Sequence, residues 1–259
     1  MRPTCLLAAI LLLVSAAPAR AADGKPAPPG RAGIAELIER VTDAYGGRAA
    51  LDSVQSYRAE GLLLSVMRHS ESPTIRVFAR PDRFKVFIDY EGGAEARIVD
   101  GRQGWRNEPG GPLAPATGPM YSAMVLQAAR IGVPWILYER ADEATWTDSL
   151  TQDGVRCPGI EIPLSVNLWL RAWVSPVTGL VVRSQGLMSH GGMSTHFETV
   201  YSDHRKVGRV KFAFREENFA SGQQTGVTSV RYLVPNVRLR PDEFSPPGAP
   251  PARPGKGEL

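Results

Sequence analysis

The sequence predicts a mainly β (α+β) protein, with a single, strongly curved antiparallel sheet of about eleven strands and helices on its concave side. Hydrophobic residues alternate with a period of two over most of residues 56–233. Turn residues interrupt this pattern at short intervals, as expected for antiparallel neighbours. Only two regions have helical spacing. A continuous antiparallel sheet of this size must curl or close.

The first predicted element is a helix over residues 33–45, which follows a Pro-rich, flexible lead at residues 22–32. One face of this helix carries apolar side chains at helical spacing, namely Ile34, Leu37, Ile38, Val41 and Tyr45. Gly46 and Gly47 follow directly. Glycine is the residue that most often ends a helix, so the predicted boundary lies there.

Four consecutive strands are predicted next, at residues 56–67, 74–80, 83–90 and 95–100. A tight turn at Asp100–Gly101 and a loop rich in Gly and Pro at residues 108–118 follow them. Helical spacing then returns from Met120 to Ile131. Gly132 and Pro134 interrupt this helix, and a second short helix is predicted at residues 135–138.

Seven more strands complete the count, at residues 145–150, 155–164, 168–174, 180–187, 195–201, 210–216 and 226–233. No Pro- or Gly-rich linker divides the chain, so one domain is predicted over residues 33–247. The segment from Ser245 onward contains five Pro and three Gly. We expect residues 248–259 to be disordered, because they contain too few apolar groups to offset the entropy of ordering.

The N-terminus has the pattern of a cleavable signal peptide at residues 1–21. Arg2 precedes nine apolar residues at positions 6–14, and Ala19–Arg20–Ala21 has the small-x-small pattern of a cleavage site. A membrane anchor is the alternative, but nine residues are too few to cross a hydrocarbon core of about 30 Å. The sequence therefore predicts export to the periplasm.

Charge and composition argue against nucleic-acid binding. The formal net charge is +4, and removal of Arg2 and Arg20 with the signal peptide would leave about +2. The basic residues are scattered, without the clusters that follow a phosphate backbone. After cleavage Cys157 would be the only cysteine. We interpret it as a small buried strand residue, and a reactive thiol is the alternative.

No catalytic or metal-binding pattern stands out in the sequence. His190 and His196 are the nearest approach to a metal site, but zinc needs three or four ligands. Glu216 and Glu217 are adjacent, so a strand would direct them to opposite faces. We therefore predict no enzyme activity, no metal and no cofactor.

Apolar residues occur on both faces of several predicted strands, which indicates either a plain sandwich core or a cavity for acyl chains. We expect Trp105, after its tight turn, to point toward the concave side. We expect segment 108–141 to act either as a movable lid or as a rigidly docked helix. The candidate cavity residues are Leu62, Leu64, Phe84, Val86, Ile88, Trp105, Met120, Met124, Trp135 and Tyr138.

Several short motifs resemble, in order and spacing, those of the LolA/LolB-like superfamily of outer membrane lipoprotein-sorting proteins, in its diverse, uncharacterised branch. The first lies at the end of the predicted helix and the last at the end of the domain. The motifs are Asp43-Ala44-Tyr45-Gly46-Gly47, Arg80-Pro81-Asp82-Arg83, Asp100-Gly101 with Gly104-Trp105, residues 175–180, Tyr201-Ser202-Asp203-His204-Arg205 and Phe244-Ser245-Pro246-Pro247.

This resemblance implies an open, incomplete β-barrel, or half-barrel, with helices under its concave face. It also implies a carrier or chaperone that binds lipid or acylated protein cargo in the periplasm, contacts membranes only transiently and uses no cofactor. Two other hypotheses remain open. One is an envelope sensor or interaction module that binds an envelope protein partner through an exposed sheet edge, and the other is an enzyme with an unrecognised site.

The predicted cleavage site can be tested directly. If signal peptidase cleaves after Ala21, the protein recovered from its native compartment will begin at Ala22. Intact mass spectrometry of that protein measures this. An uncleaved N-terminus, or an acyl group on Cys5, would contradict the prediction of a soluble exported form.

Overall fold

The structure, a computed structural model, describes residues 30–246. The predicted signal peptide at 1–21, most of the lead at 22–32 and the tail predicted at 248–259 lie outside the described residues. Those segments and the predicted domain limits therefore stay predictions. The first helix begins at Arg31, two residues before the predicted start.

Four α-helices and thirteen strands form the described part of the chain. The helices are α1 (Arg31–Tyr45), α2 (Arg48–Asp52), α3 (Gly118–Ile131) and α4 (Trp135–Glu139). The strands are β1 (Ser56–Ser65), β2 (Ser70–Ala79), β3 (Arg83–Tyr90), β4 (Gly93–Asp100), β5 (Gln103–Arg106), β6 (Ala114–Pro115), β7 (Thr145–Gln152), β8 (Val155–Ser165), β9 (Leu168–Val174), β10 (Val181–His190), β11 (Met193–Val207), β12 (Val210–Ala220) and β13 (Gln223–Pro235).

All thirteen strands belong to one antiparallel sheet that does not close. Their order is β6-β5-β4-β3-β2-β1-β13-β12-β11-β10-β9-β8-β7, so β6 and β7 are the two edges. The predicted fold class is confirmed, with two strands more than the eleven expected. The additional strands, β5 and β6, are four and two residues long, which is too short for a period of two to show.

Helix α3 crosses the concave face and shows how strongly the sheet curves. It contacts β4 and β5 on one side and β9, β10 and β11 on the other. Seven strand spacings separate β4 from β10, a distance of about 34 Å in a flat sheet. The 14 residues of α3 extend over only about 21 Å. The sheet therefore bends around the helix.

Two glycines allow α3 to approach the sheet closely at both sides. A Cβ at Gly104 of β5 would lie 2.7 Å from the ring of Tyr121, and a Cβ at Gly186 of β10 would lie 2.8 Å from the Cβ of Leu126. Tyr121 also donates a hydrogen bond of 2.7 Å to the carbonyl oxygen of Gly101. Leu126 is fully buried, so this face of α3 is packed against the strands.

The other helices cover the concave face next to α3 and close the core. Trp135 of α4 is buried among three aromatic rings, Tyr57, Phe78 and Phe212, with ring centroids 5.8–6.2 Å from its own. Its indole N–H donates a 3.0 Å hydrogen bond to the carbonyl oxygen of Leu51 in α2. This bond ties α4 to α2 and satisfies the one polar atom of the buried side chain.

Gly46 ends α1 in a conformation that requires glycine. Its φ angle is +129°, which L side chains rarely adopt. A Cβ at this position would also collide with the carbonyl oxygen of Arg209. Its N–H donates a 3.0 Å hydrogen bond to the carbonyl oxygen of Asp43, so the helix end predicted from Gly46 and Gly47 is confirmed.

A second apolar cluster covers the convex face of β2, β4 and β5. Val77, Ala79, Ile98 and Phe244 are buried in it, and Trp105, Leu113 and Leu239 pack against them. The segment after β13 thus covers the outside of the sheet, and Lys85 binds the Glu243 carboxylate at 3.2 Å. The prediction that Trp105 points toward the concave side is wrong, because strand alternation places it beside Ile98.

Because α3 needs close contact with β10, we predict that Gly186→Ala lowers the free energy of unfolding by about 1–3 kcal/mol. The added methyl group would have to displace Leu126 and the Nη1 atom of Arg130, which would lie 2.9 Å away. Gly92→Ala is the matched control, since nothing lies within 4 Å of its Cβ position. Urea denaturation measures both, and an equal effect would contradict the close packing of α3.

Candidate ligand-binding cavity

A cavity of about 700 Å³ lies on the concave side, between α3 and the sheet. Strands β1–β5 form one wall and β11–β13 the other. This volume falls within the range of roughly 300–1,000 Å³ that is typical of small-molecule sites. The cavity exists because α3 spans the concave side of the bent sheet without filling all of the space next to it.

One face of α3 lines the cavity at helical spacing. The residues on this face are Met120, Ala123, Met124, Gln127, Arg130 and Ile131. Met120 at the beginning of the helix is 45% exposed, whereas Met124 is buried. Tyr121 and Leu126 point to other sides, where they pack against the sheet. The packed side of α3 therefore fixes which side faces the cavity.

Apolar side chains form part of the sheet wall. Leu63, Val86, Ile88, Phe197 and Phe219 line it, and Met67 lies at its margin. The Met67 side chain is 80% exposed, so it lies where the cavity meets solvent. Methionine adapts its flexible side chain to different apolar partners. The two exposed methionines, Met67 and Met120, thus provide an adaptable rim.

The remainder of the wall is polar, which corrects the expectation of an apolar cavity. Arg76 lies 2.6 Å from the carboxylate of Glu216, and Arg97 lies 2.6 Å from that of Glu95. Hydroxyl and amide side chains surround these pairs, namely Ser65, Thr74, Thr199, Asn218, Thr225 and Thr228. The cavity thus combines an apolar region with hydrogen-bonding groups.

Arg130 differs from the paired arginines of the wall. Its side chain is buried, with 9% of its surface exposed, and no carboxylate within residues 30–246 forms an ion pair with it. The Nε atom donates to the hydroxyl of Thr199 at 3.2 Å, and Nη1 donates to the carbonyl oxygen of Leu126 at 3.1 Å. Burial lowers the pKa of Arg130 to about 10, so the group carries its charge at neutral pH.

Tyr201 connects Arg130 to the neighbouring strands. Its hydroxyl group donates a 2.7 Å hydrogen bond to the carbonyl oxygen of Arg130 and lies 2.6 Å from the hydroxyl of Ser184. Burial raises the pKa of Tyr201 well above its ordinary value. The phenol is therefore neutral at physiological pH, and it anchors the C-terminal end of α3 without adding charge to the cavity.

Four of the ten residues predicted to line a cavity do so: Val86, Ile88, Met120 and Met124. Phe84 and Trp135 are buried in the packed core next to it. Tyr138 lies outside, where its hydroxyl group donates to Asp52 at 3.1 Å. Ligand binding by any of these residues stays a prediction.

The remaining three, Leu62, Leu64 and Trp105, lie on the opposite face of the sheet. Leu63 lines the cavity, and successive strand residues point to opposite faces, so Leu62 and Leu64 point outward. Leu64 is 45% exposed. Three successive leucines give no alternation, and the pattern therefore did not show which of them faces inward.

The polar residues of the wall, including Arg76, Arg97, Arg130, Glu95 and Glu216, were not among those predicted to line a cavity. One signal was present for Arg130. It lies three residues after Gln127 and seven after Ala123, on the same helical face as Met124. A charged residue within a mostly apolar face was therefore visible in the sequence.

Two further expectations from the sequence concern chemistry. Cys157 in β8 is buried, and burial raises the pKa of its thiol, so its interpretation as a buried strand residue is confirmed. His190 pairs with Met193 and His196 with Leu187 across the β10–β11 hairpin, so the two histidines are not directly opposed. Among residues 30–246, no group of three His, Cys, Asp or Glu side chains is arranged to hold a metal ion.

Comparison with known proteins gives matches at the level of structure alone. No protein-family model matches the sequence, and no curated protein matches it significantly. An outer membrane lipoprotein-sorting protein domain from Vibrio parahaemolyticus aligns with a TM-score of 0.52 at 10% identity. The alignment covers 82% of this chain and 97% of that one.

Two other solved structures are similar to the same extent. A DUF1329 family protein from Desulfovibrio piger has a TM-score of 0.53 at 13% identity, over 82% of this chain and 96% of its own. A LolA superfamily protein from Nitrosomonas europaea has a TM-score of 0.50 at 14% identity, over 82% of this chain and 97% of its own.

No helix within residues 30–246 has both the length and the hydropathy needed to span a membrane. The described chain is instead one open sheet bent around a helix, with a cavity on its concave side. The structural matches cover most of it. The fold of this protein is therefore the LolA-like fold found in outer membrane lipoprotein-sorting domains.

Proposed function

We propose that the protein is a periplasmic carrier that binds the acyl chains of lipid or acylated protein in the cavity under α3. The cavity is the observation that carries this proposal. Its volume of about 700 Å³ and the apolar part of its wall suit a hydrocarbon chain. The LolA-like fold and the predicted signal peptide support the same assignment.

The rim of the cavity supports carriage in preference to permanent storage. Met67 and Met120 are exposed apolar side chains next to the opening, and they would contact a ligand as it enters or leaves. Flexible methionine side chains adapt to chains of different length. A carrier that exchanges its ligand with membranes needs such an accessible opening.

The cavity lining favours binding over catalysis. No His or Cys side chain is among the described residues that line the cavity. Its two carboxylates, Glu95 and Glu216, are each bound by an arginine at 2.6 Å. We therefore expect a bound lipid to leave unchanged.

Native mass spectrometry of the gently purified mature protein, followed by lipid extraction, tests the proposed function. We expect a stoichiometric acyl species with unchanged ester bonds. Protein that is empty and does not take up lipid from vesicles would contradict carriage. Hydrolysis of an added lipid ester would show an enzyme.

We predict that Ala123→Trp reduces the affinity for a fluorescent fatty acid at least tenfold, since the indole ring would occupy the cavity. Leu64→Trp is the matched control, because it adds the same ring to the exposed, convex face of β1. Fluorescence titration measures both affinities. Equal affinities of the two variants would show that the ligand binds elsewhere.

The structure divides the predicted lid segment, 108–141, into two parts. Leu126, Trp135 and Leu137 are buried in its second half, whereas Gly118, Pro119 and Met120 are exposed. We predict that amides of residues 108–123 exchange faster with deuterium than those of β3, and more slowly when lipid is bound. Hydrogen exchange with mass spectrometry measures this, and equal protection of 108–123 and β3 in both states would contradict a moving lid.

A further inference from the structure

Arg130 places an uncompensated positive charge at the wall of the cavity. Its two hydrogen-bond partners, the Thr199 hydroxyl group and the Leu126 carbonyl group, are both neutral. Three of the five N–H groups of its guanidinium have no acceptor among the described residues. The other buried arginine of the cavity, Arg76, has a carboxylate at 2.6 Å.

A buried charge without a counter-ion is costly, so its position needs an explanation. The face of the Phe197 ring, 5.7 Å from the guanidinium carbon of Arg130, offers only a weak cation–π contact. The same face of α3 carries the uncharged side chains of Met120 and Met124. The direct polar contacts of Arg130 among residues 30–246 are thus neutral, and none of them is a counter-ion for the buried charge.

The wall as a whole carries more positive than negative side chains. Five arginines line it, Arg68, Arg76, Arg97, Arg106 and Arg130, against two carboxylates, those of Glu95 and Glu216. Arg106 is paired outside the lining, with Glu108 at 2.6 Å. Arg76 binds the carboxylate of Glu216, and Arg97 binds that of Glu95. Neither carboxylate is within ion-pair distance of Arg130. A ligand with a negative group would supply the counter-ion that Arg130 lacks.

We propose that Arg130 binds an oxyanion, the carboxylate or phosphate headgroup of an amphiphile whose chain lies in the apolar part of the cavity. This inference rests on the proposed function and names the ligand class. The planar guanidinium presents paired N–H groups that match two oxygens of such a headgroup. Asn218, which accepts a 3.0 Å hydrogen bond from Thr199, places a further polar group beside the site.

The geometry also gives the orientation of the ligand. Arg130 is near the C-terminal end of α3, and Met120 is ten residues earlier at the exposed end. Ten residues correspond to about 15 Å along a helix. The headgroup therefore lies deep in the cavity, and the chain extends along α3 past Met124 toward the rim at Met120 and Met67.

The test compares palmitate with hexadecanol, which has the same chain and no charge, by displacement of a fluorescent probe at pH 8. We expect the wild-type protein to bind palmitate roughly 10- to 100-fold more tightly, as expected for a charge-assisted hydrogen bond in a buried site. Arg130→Met should remove this preference and leave the affinity for hexadecanol within about threefold of the wild-type value.

Arg171→Met is the matched control. Arg171 is on the opposite face of the sheet from buried Leu170 and Ala172, and it binds Glu161 at 2.6 Å. Its loss should leave the preference for palmitate unchanged. Thermal unfolding of each variant reports whether it folds. If Arg130→Met does not fold, the ratio of palmitate to hexadecanol affinities in the wild-type protein still decides the question.

The outcomes separate this inference from the proposed function. Equal binding of palmitate and hexadecanol by the wild-type protein would overturn the inference and leave lipid carriage intact. Binding of neither compound, or of any other lipid offered in vesicles, would overturn both. Inorganic phosphate is the last probe, and displacement by phosphate without any binding of palmitate would show a site for a small anion and overturn the amphiphile.

Discussion

The contact of α3 with both sides of the bent sheet is the constraint on which the rest of the structure depends. A sheet of thirteen strands with two open edges has no closing hydrogen bonds to fix its curvature. Contacts of Tyr121 at Gly104 and of Leu126 at Gly186 hold β5 and β10 at the helix instead. The same contacts orient Met124 and Arg130 toward the cavity, so packing of the helix determines the chemistry of the wall.

The cavity thereby acquires two regions along one helix. At one end of α3 the apolar side chain of Met120 is accessible, and near the other end the charged side chain of Arg130 is buried. Burial makes each hydrogen bond near Arg130 stronger, and it makes the missing counter-ion more costly. An amphiphile has the same division between a chain and a headgroup, so the cavity and the proposed ligand are complementary in both respects.

The alternating pattern of the strands and the spacing of the helices were sufficient to predict the fold class and most boundaries. The pattern failed where it was short, as in β5 and β6, or uniform, as in Leu62, Leu63 and Leu64. It also failed for Trp105, because apolar residues on both faces do not show that the chain after β13 returns to cover one of them. The pairing of Arg76 with Glu216, 140 residues away, depends on the curvature of the sheet, which periodicity does not contain.

The two open edges have a consequence for colloidal behaviour. Unpaired edge strands allow copies of a protein to stack into larger sheets, a common route to aggregation. Here one edge, β6, consists of two residues, and Pro115 has no N–H to donate. The other edge, β7, has an irregular register between Thr147 and Leu150, which interrupts a regular ladder. The sheet thus remains open around its cavity, while its two edge strands offer other copies few groups with which to extend it.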